Sequence, residues 1–254
     1  MTNSNKTRAS LLRSAWLILV SLIYTGYTCL RSIYMGCRFK TPQRQWVDDE
    51  IHRWSLRMLR LLKIQCTVHN PHHVAPRKGH KTIIMCNHSS LFDIPIGFQA
   101  FPHQAIRMLA KKEMEKIPFM KYGMSAAEFP IIDRHNRVHA IRDLEKVMKL
   151  LESGIVMWIF PEGTRSSNGH VAPLKKGGFI TAIQTEATII PIGIRGANRV
   201  LPARTTHFNL NQHVEVHVGK AIDASLHTLE NKDVLIQEVY DSLRELTGQT
   251  EESS

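Results

Sequence analysis

The 254 residues are 43% hydrophobic and 22% charged, enough to bury a sizeable core, which excludes a wholly disordered chain. Lysine plus arginine outnumber aspartate plus glutamate by 33 to 22, a net charge of +11, so the expected partner is anionic: nucleic acid, anionic lipid or a phosphorylated substrate. Four cysteines (Cys29, Cys37, Cys66, Cys86) form no CxxC pair and no regular framework, which excludes a disulfide scaffold and points to a reducing, cytosol-facing location.

Charge is concentrated at the start of the chain. Residues 1–64 hold eleven basic side chains against three acidic ones, +8 of the +11. Within them, residues 14–30 form an uncharged run between Arg13 and Arg31, with Trp16, Leu17, Ile18, Leu19, Val20, Leu22 and Ile23 but also Ser21, Thr25, Gly26 and Thr28. A perpendicular bilayer crossing needs about 20 mainly apolar residues, so this run predicts monotopic insertion on the cytosolic leaflet, with a single span as the alternative. No small-x-small site follows it, and a cleaved signal peptide is not expected. After Pro42, the residues Val47, Ile51, Trp54, Met58, Leu61 and Leu62 recur at helical spacing, while Arg53, Arg57 and Arg60 line another face. With Trp46 and Trp54 available for the headgroup region, this basic amphipathic helix is expected at a membrane surface. Because the basic residues accompany an apolar segment rather than a nucleic-acid motif, the lipid bilayer is the expected partner and nucleic acid is not.

From about residue 65, short apolar runs alternate with helical patterns. Residues 82–86, 105–110, 129–132, 155–160, 188–194 and 214–218 predict strands, the first and fourth apolar enough to be buried on both faces. Helices are predicted over 92–100, 113–121, 135–152, 175–186 and 228–247, with Gly154 and Gly248 stopping two of them. The fold class is α/β, a mixed, largely parallel sheet flanked by helices, preceded by an N-terminal membrane-associated helical segment. The expected division is 1–64 for that segment, 65–249 for the α/β domain and 250–254 for a polar tail. His69, His72, His73 and His80 lie in a Pro-rich stretch without partner cysteines or an HExxH arrangement, which predicts a solvated connection and no metal.

Two constellations leave predicted strands. Asn87-His88-Ser89-Ser90-Leu91-Phe92-Asp93 puts an aspartate five positions after a histidine, so that the carboxylate can fix the imidazole through Nδ1 and leave Nε2 as a base toward a hydroxyl. Phe160-Pro161-Glu162-Gly163-Thr164-Arg165 frees the backbone at a glycine and supplies threonine and arginine donors for a phosphate. Between them, Lys111 and Arg134 each follow a predicted strand and can converge on the same sheet edge. Covalent catalysis would have to use Ser89, Ser90 or Cys86, but no GxSxG elbow is present, and a cysteine in an apolar strand is a small buried hydrophobe.

These blocks, with Ala110-Lys111-Lys112-Glu113, Ile117-Pro118, Ile132-Asp133-Arg134 and Ile189-Ile190-Pro191-Ile192, resemble in order and spacing the four motifs of the glycerolipid acyltransferases, over roughly residues 80–196. The likeness is strongest to the bacterial 1-acylglycerol-3-phosphate acyltransferases. The resemblance implies transfer of a fatty acyl group from a thioester, acyl-CoA or acyl-acyl carrier protein, to the free hydroxyl of lysophosphatidic acid. It implies His88 as general base and Asp93 as its orienter, Arg134, Glu162, Gly163, Thr164 and Arg165 around the glycerol phosphate, Lys111 at the site, and Pro191 shaping the acyl-binding side. No cofactor is implied, since a thioester is already activated. The chain departs from the motif pattern at Ala126-Ala127-Glu128-Phe129-Pro130, where a glycine-rich approach is expected. The alternatives are an acyltransferase for another lysophospholipid or lyso-aminolipid, and a non-catalytic membrane-binding protein.

Overall fold

The computed structural model describes residues 8–39, 43–132 and 137–249. Arg134 and the tail 250–254 lie outside the described residues. In chain order the elements are α1 (Leu11–Arg38), α2 (Arg44–Leu61), β1 (Gln65–His69), β2 (Thr82–Cys86), α3 (Asp93–Gly97), β3 (Ile106–Met108), β4 (Ala110–Lys111), α4 (Met120–Ala126), β5 (Ile131–Ile132), α5 (Arg137–Glu152), β6 (Val156–Ile159), α6 (Gly177–Thr185), β7 (Thr188–Arg195), α7 (Ala197–Val200), β8 (His213–Val218), β9 (Ile222–Asp223) and α8 (Lys232–Leu246).

The main sheet runs β1-β8-β7-β2-β6-β3, with β9 also paired to β7. β2 lies between β7 and β6 and is parallel to both; β3 is parallel to β6 and β1 to β8. Only β8 and β9 oppose β7, so the sheet is mixed and mostly parallel, as the alternating pattern predicts. Every residue of β2 and β6 is buried. Alternation explains why: Ile84 and Trp158 join Leu17, Val47, Ile51, Met58 and Leu62 on one face, while Ile83, Met85 and Met157 meet Phe179, Leu235 and Leu243 on the other. Each such aliphatic side chain contributes roughly 1.5–3 kcal/mol when fully buried.

The regions that depart from expectation do so for local reasons. The helix expected over 113–121 is instead a 3₁₀ turn, Lys112–Lys116, followed by α4. Pro118 removes a backbone donor and forces Ile117 into extended backbone, and Phe119 enters α4 from the left-handed region. The run 105–110 divides between β3 in the main sheet and β4, which pairs with β5 in a separate two-stranded sheet. Strand 129–132 shortens to Ile131–Ile132 behind Pro130. β1 was not predicted, and His69, expected in a connecting loop, ends it: only Cys66 and Val68 break a polar, largely exposed run.

The 28-residue α1 starts at Ser10, whose Oγ accepts from Arg13 N at 3.3 Å. Ser14, Leu17, Cys29 and Ser32 turn toward the body along the length of the helix. α4 packs there so closely that a Cβ at Gly123 would lie 2.5 Å from the Cys29 Cβ, a position only glycine can fill. The outer side carries Leu12, Trp16, Leu19, Ile23, Leu30 and Tyr34, each at least half exposed.

α2 spends its apolar stripe differently from the expectation. Val47, Ile51, Met58 and Leu59 are buried against the sheet layer. Trp54 Nε1 donates to Thr25 Oγ1 at 3.1 Å, and the Arg31 guanidinium sits 5.1 Å from the Trp46 ring centroid. The fully buried Glu50 gathers Arg31, Arg53 and Arg57 at 3.2–3.4 Å. Trp46, Trp54 and Arg57, read as membrane anchors, therefore hold α2 to α1, while Arg53 pairs with Glu50 within α2. Deeper in, Arg107 of β3 is 1% exposed, pairs with Asp48 of α2 at 2.6 Å, donates to the Ala127 carbonyl and lies over the Phe129 ring.

Candidate active site

The site begins where β2 ends. Asn87, buried, accepts from Ile194 N at 2.7 Å and donates to Ile194 O at 3.0 Å, which ties the exit of β2 to β7. The chain then turns, and Asp93 opens α3 with no solvent exposure. Its Oδ2 lies 2.8 Å from His88 Nδ1 and accepts from the backbone N–H groups of Ser89 and Ser90 at 2.6 and 2.7 Å. Two backbone N–H groups already converge on that oxygen, which suits it to accept from an Nδ1–H as well and leaves Nε2 with its lone pair. The ring stacks on Phe160, with centroids 4.1 Å apart, which fixes its plane.

The loop after β6 is stitched to the same residue from both sides. His88 N donates to Glu162 Oε1 at 2.6 Å, and Ser166 N donates to His88 O at 2.7 Å. Gly163, at φ +78°, makes the turn between them, where a side chain would be strained. Thr164 is exposed and Arg165 half-buried in this loop.

Glu162, expected at the phosphate, has another task. It is 3% exposed, and its second oxygen accepts from Ala172 N at 2.9 Å, so the carboxylate bridges two loops through backbone amides rather than facing an anion that it would repel. Burial pushes its carboxyl up to about 7, against the two backbone donations that favour the ionised form. A raised value in the folded chain means a contribution that is full below the ordinary 4.5 and is lost as pH rises through about 7. In urea unfolding at pH 4.5, 6 and 7.5, the stability of the native chain relative to Glu162→Gln is therefore expected to shrink as pH rises; a constant difference would contradict the assignment.

The remaining expected residues divide. Lys111 stands on β4, exposed, paired in register with Ile132 of β5, the strand that leads toward Arg134; Arg134 itself is outside the described residues. Pro191, expected to shape an acyl-binding side, is buried in β7 in register with Met85, where pairing passes from β8 to β9 and its missing N–H costs nothing. The covalent candidates are unsuited: Ser90 Oγ is buried between Leu201 O and Phe92 N, and burial raises the Cys86 thiol well above its ordinary value. Asn87 and Phe160 stood inside the quoted motifs without assigned roles. The signal available for Asn87 was a polar side chain directly following four apolar strand positions.

The model of the acyltransferase family matches residues 65–195, more than half of the chain. The chain belongs to the acyltransferase family. Among solved structures, the 1-acyl-sn-glycerophosphate acyltransferase PlsC of Thermotoga maritima is similar over 93% of this chain and 95% of that one, at 25% identity and a TM-score of 0.74. The 1-acyl-sn-glycerol-3-phosphate acyltransferase of Cocos nucifera is 34% identical over 50% of this chain and 44% of its own. The chloroplast 1-acyl-sn-glycerol-3-phosphate acyltransferase LPAT1 of Arabidopsis thaliana is 26% identical over 67% of this chain and 46% of its own. The chain spans about half the length of the curated relatives it matches. For this acyltransferase, the matched stretch contains both His88 and Arg165 and the strands that bring them together.

Proposed function

We propose that this acyltransferase moves a fatty acyl group from an acyl thioester, acyl-CoA or acyl-acyl carrier protein, to the free hydroxyl of 1-acyl-glycerol-3-phosphate, giving phosphatidic acid. The observation that carries the reading is the His88–Asp93 pair at 2.8 Å, joined through its own backbone to the Gly163–Arg165 loop. The names of the similar proteins support the acceptor. A hydroxyl is a weak nucleophile and needs a base as it attacks, whereas the thioester needs no further activation.

In this reading His88 Nε2 takes the hydroxyl proton as the oxygen adds to the thioester carbonyl. Asp93 stabilises the imidazolium. The tetrahedral intermediate then expels the thiolate, which leaves with the proton from Nε2: a C–O bond forms, a C–S bond breaks, and the base is returned to its starting state. Thr164, Arg165, Lys111 and Arg134 serve the acceptor phosphate, Gly163 shapes the turn that presents them with its own N–H donated to Phe160 O, and Glu162 positions the loop. No metal or cofactor has a part.

The same acceptor is a membrane lipid, and α1 supplies the attachment. It is long and apolar enough to cross a bilayer, with a mean hydropathy of 1.3 over its best window, but buried residues at both ends of the helix hold it along the body. That packing favours monotopic insertion of its outer face, joined by Phe119 and Tyr122 near and on α4, at the cytosolic leaflet. One experiment tests both parts. Purified protein is mixed with acyl-CoA and anionic vesicles containing lysophosphatidic acid; thiol release and flotation with the vesicles are followed together. Arg165→Ala is expected to raise the apparent KM for lysophosphatidic acid far more than that for the acyl donor while still floating. No thiol release with either donor would overturn the activity, and protein left at the bottom of the gradient would overturn the attachment.

A further inference from the structure

Outside the loops that carry His88 and Arg165, three side chains with metal-ligating atoms converge on the edge of the main sheet. Glu215 and His217 stand two apart on β8 and therefore share a face, and the parallel pairing of β1 with β8 sets His69 directly beside His217. His217 Nε2 lies 3.3 Å from one Glu215 oxygen and His69 Nε2 lies 3.7 Å from the other. The two imidazoles stack at 4.6 Å, and one ligand atom from each of the three residues falls within 4.8 Å of the others.

We propose that His69, Glu215 and His217 form a zinc site that clamps the edge strand β1 to β8. Two imidazole nitrogens and one carboxylate are a donor set for zinc, whereas magnesium and calcium require oxygen ligands. Zinc bonds of about 2.0–2.2 Å place tetrahedral ligand atoms a little over 3 Å apart, so the observed separations need only small rotations of half-exposed side chains. The fourth position opens onto a groove of about 1130 Å³ between β8 and α8.

The charges around this groove suit a divalent cation. Glu238, Asp241 and Glu245 of α8 line it opposite the histidines, with Lys220 as the opposing charge in the lining. Arg195, across from Glu215 on β7, directs its guanidinium to the Leu246 and Glu245 carbonyls at the end of α8. The neighbouring His213 is engaged with Thr67 Oγ1 at 2.9 Å and is not counted as a ligand. Because β1 forms the outer edge of the sheet, a metal held by one residue of β1 and two of β8 would add a second tie to strand pairing alone.

The test uses untagged full-length protein stripped with chelator and titrated with zinc chloride, magnesium chloride as control, by calorimetry and by thermal melting. One zinc per chain is expected to bind here and to raise the melting temperature, with magnesium inert. His217→Ala and, separately, Glu215→Gln are expected to weaken this event by at least about tenfold and abolish the thermal shift, while His80→Ala, exposed and outside the groove lining, leaves both intact. Melting of each metal-free variant establishes that it is folded, and the two substitutions on β8 give independent readings. Zinc binding unchanged in both variants, or no stoichiometric binding to the native protein, would overturn the site.

Discussion

His88→Ala is expected to lower the rate of acyl transfer by about 10²–10⁴, the usual cost of losing one general base, with little change in unfolding midpoint. The imidazole is 12% exposed, so its removal forfeits the stacking on Phe160 and one contact to Asp93, a loss small beside the effect on rate. Its backbone N–H and carbonyl, which hold Glu162 and Ser166, survive the substitution. The loss therefore belongs in turnover, and vesicle flotation should be unaffected. A variant with near-native turnover would remove His88 from the chemistry and with it the proposed reaction path.

The largest expected effect on stability comes from Asp48→Ala. Arg107 is 1% exposed and faces Asp48 at 2.6 Å, so removing the carboxylate strands a cation where water cannot replace its partner. Breaking one side of a buried pair costs about 3–5 kcal/mol. Burial is strong enough here to raise the Asp48 carboxyl despite the adjacent guanidinium. Replacing both partners by apolar residues, as in Asp48→Leu with Arg107→Met, should recover much of the loss because no uncompensated charge remains. Denaturant unfolding of the single and double variants measures this, and a single-variant loss under about 1 kcal/mol would show that Arg107 finds another partner.

What could be read along the chain was whatever depended on neighbours in sequence. β2 was legible because four consecutive apolar residues after Thr82 are best buried on both faces, and the His88–Asp93 pair because the short turn from β2 into α3 brings those two together. The strands carrying His88 and Glu162 were also legible, but not the bond between them, since a carboxylate 74 residues away from the amide it holds leaves no local pattern. The same holds for Glu50: beside Arg53 and Arg57 the helix looks basic, and only the packing of α1 shows that a buried acid gathers these charges. His69 was read with its sequence neighbours His72 and His73, whereas Glu215 and His217, adjacent in the sheet, come from far along the chain. At Pro118 the signal was present but was outweighed by the apolar spacing around it.

The packing of α1 also sets an order of events during synthesis. Cys29 meets Met120, which follows it by 91 residues, and Ala9 pairs with Phe208, later still. At about 5–20 residues per second the first of these partners emerges some 4–16 s after the helix is complete. Throughout that interval α1 has only α2 to pack against, while its outer side is as apolar as it will be in the finished fold. Until then the α1–α2 pair is exposed on the faces that the α/β body will cover, and a lipid surface or a chaperone is the partner open to them, so the body is assembled onto a helix pair that can already have found its place.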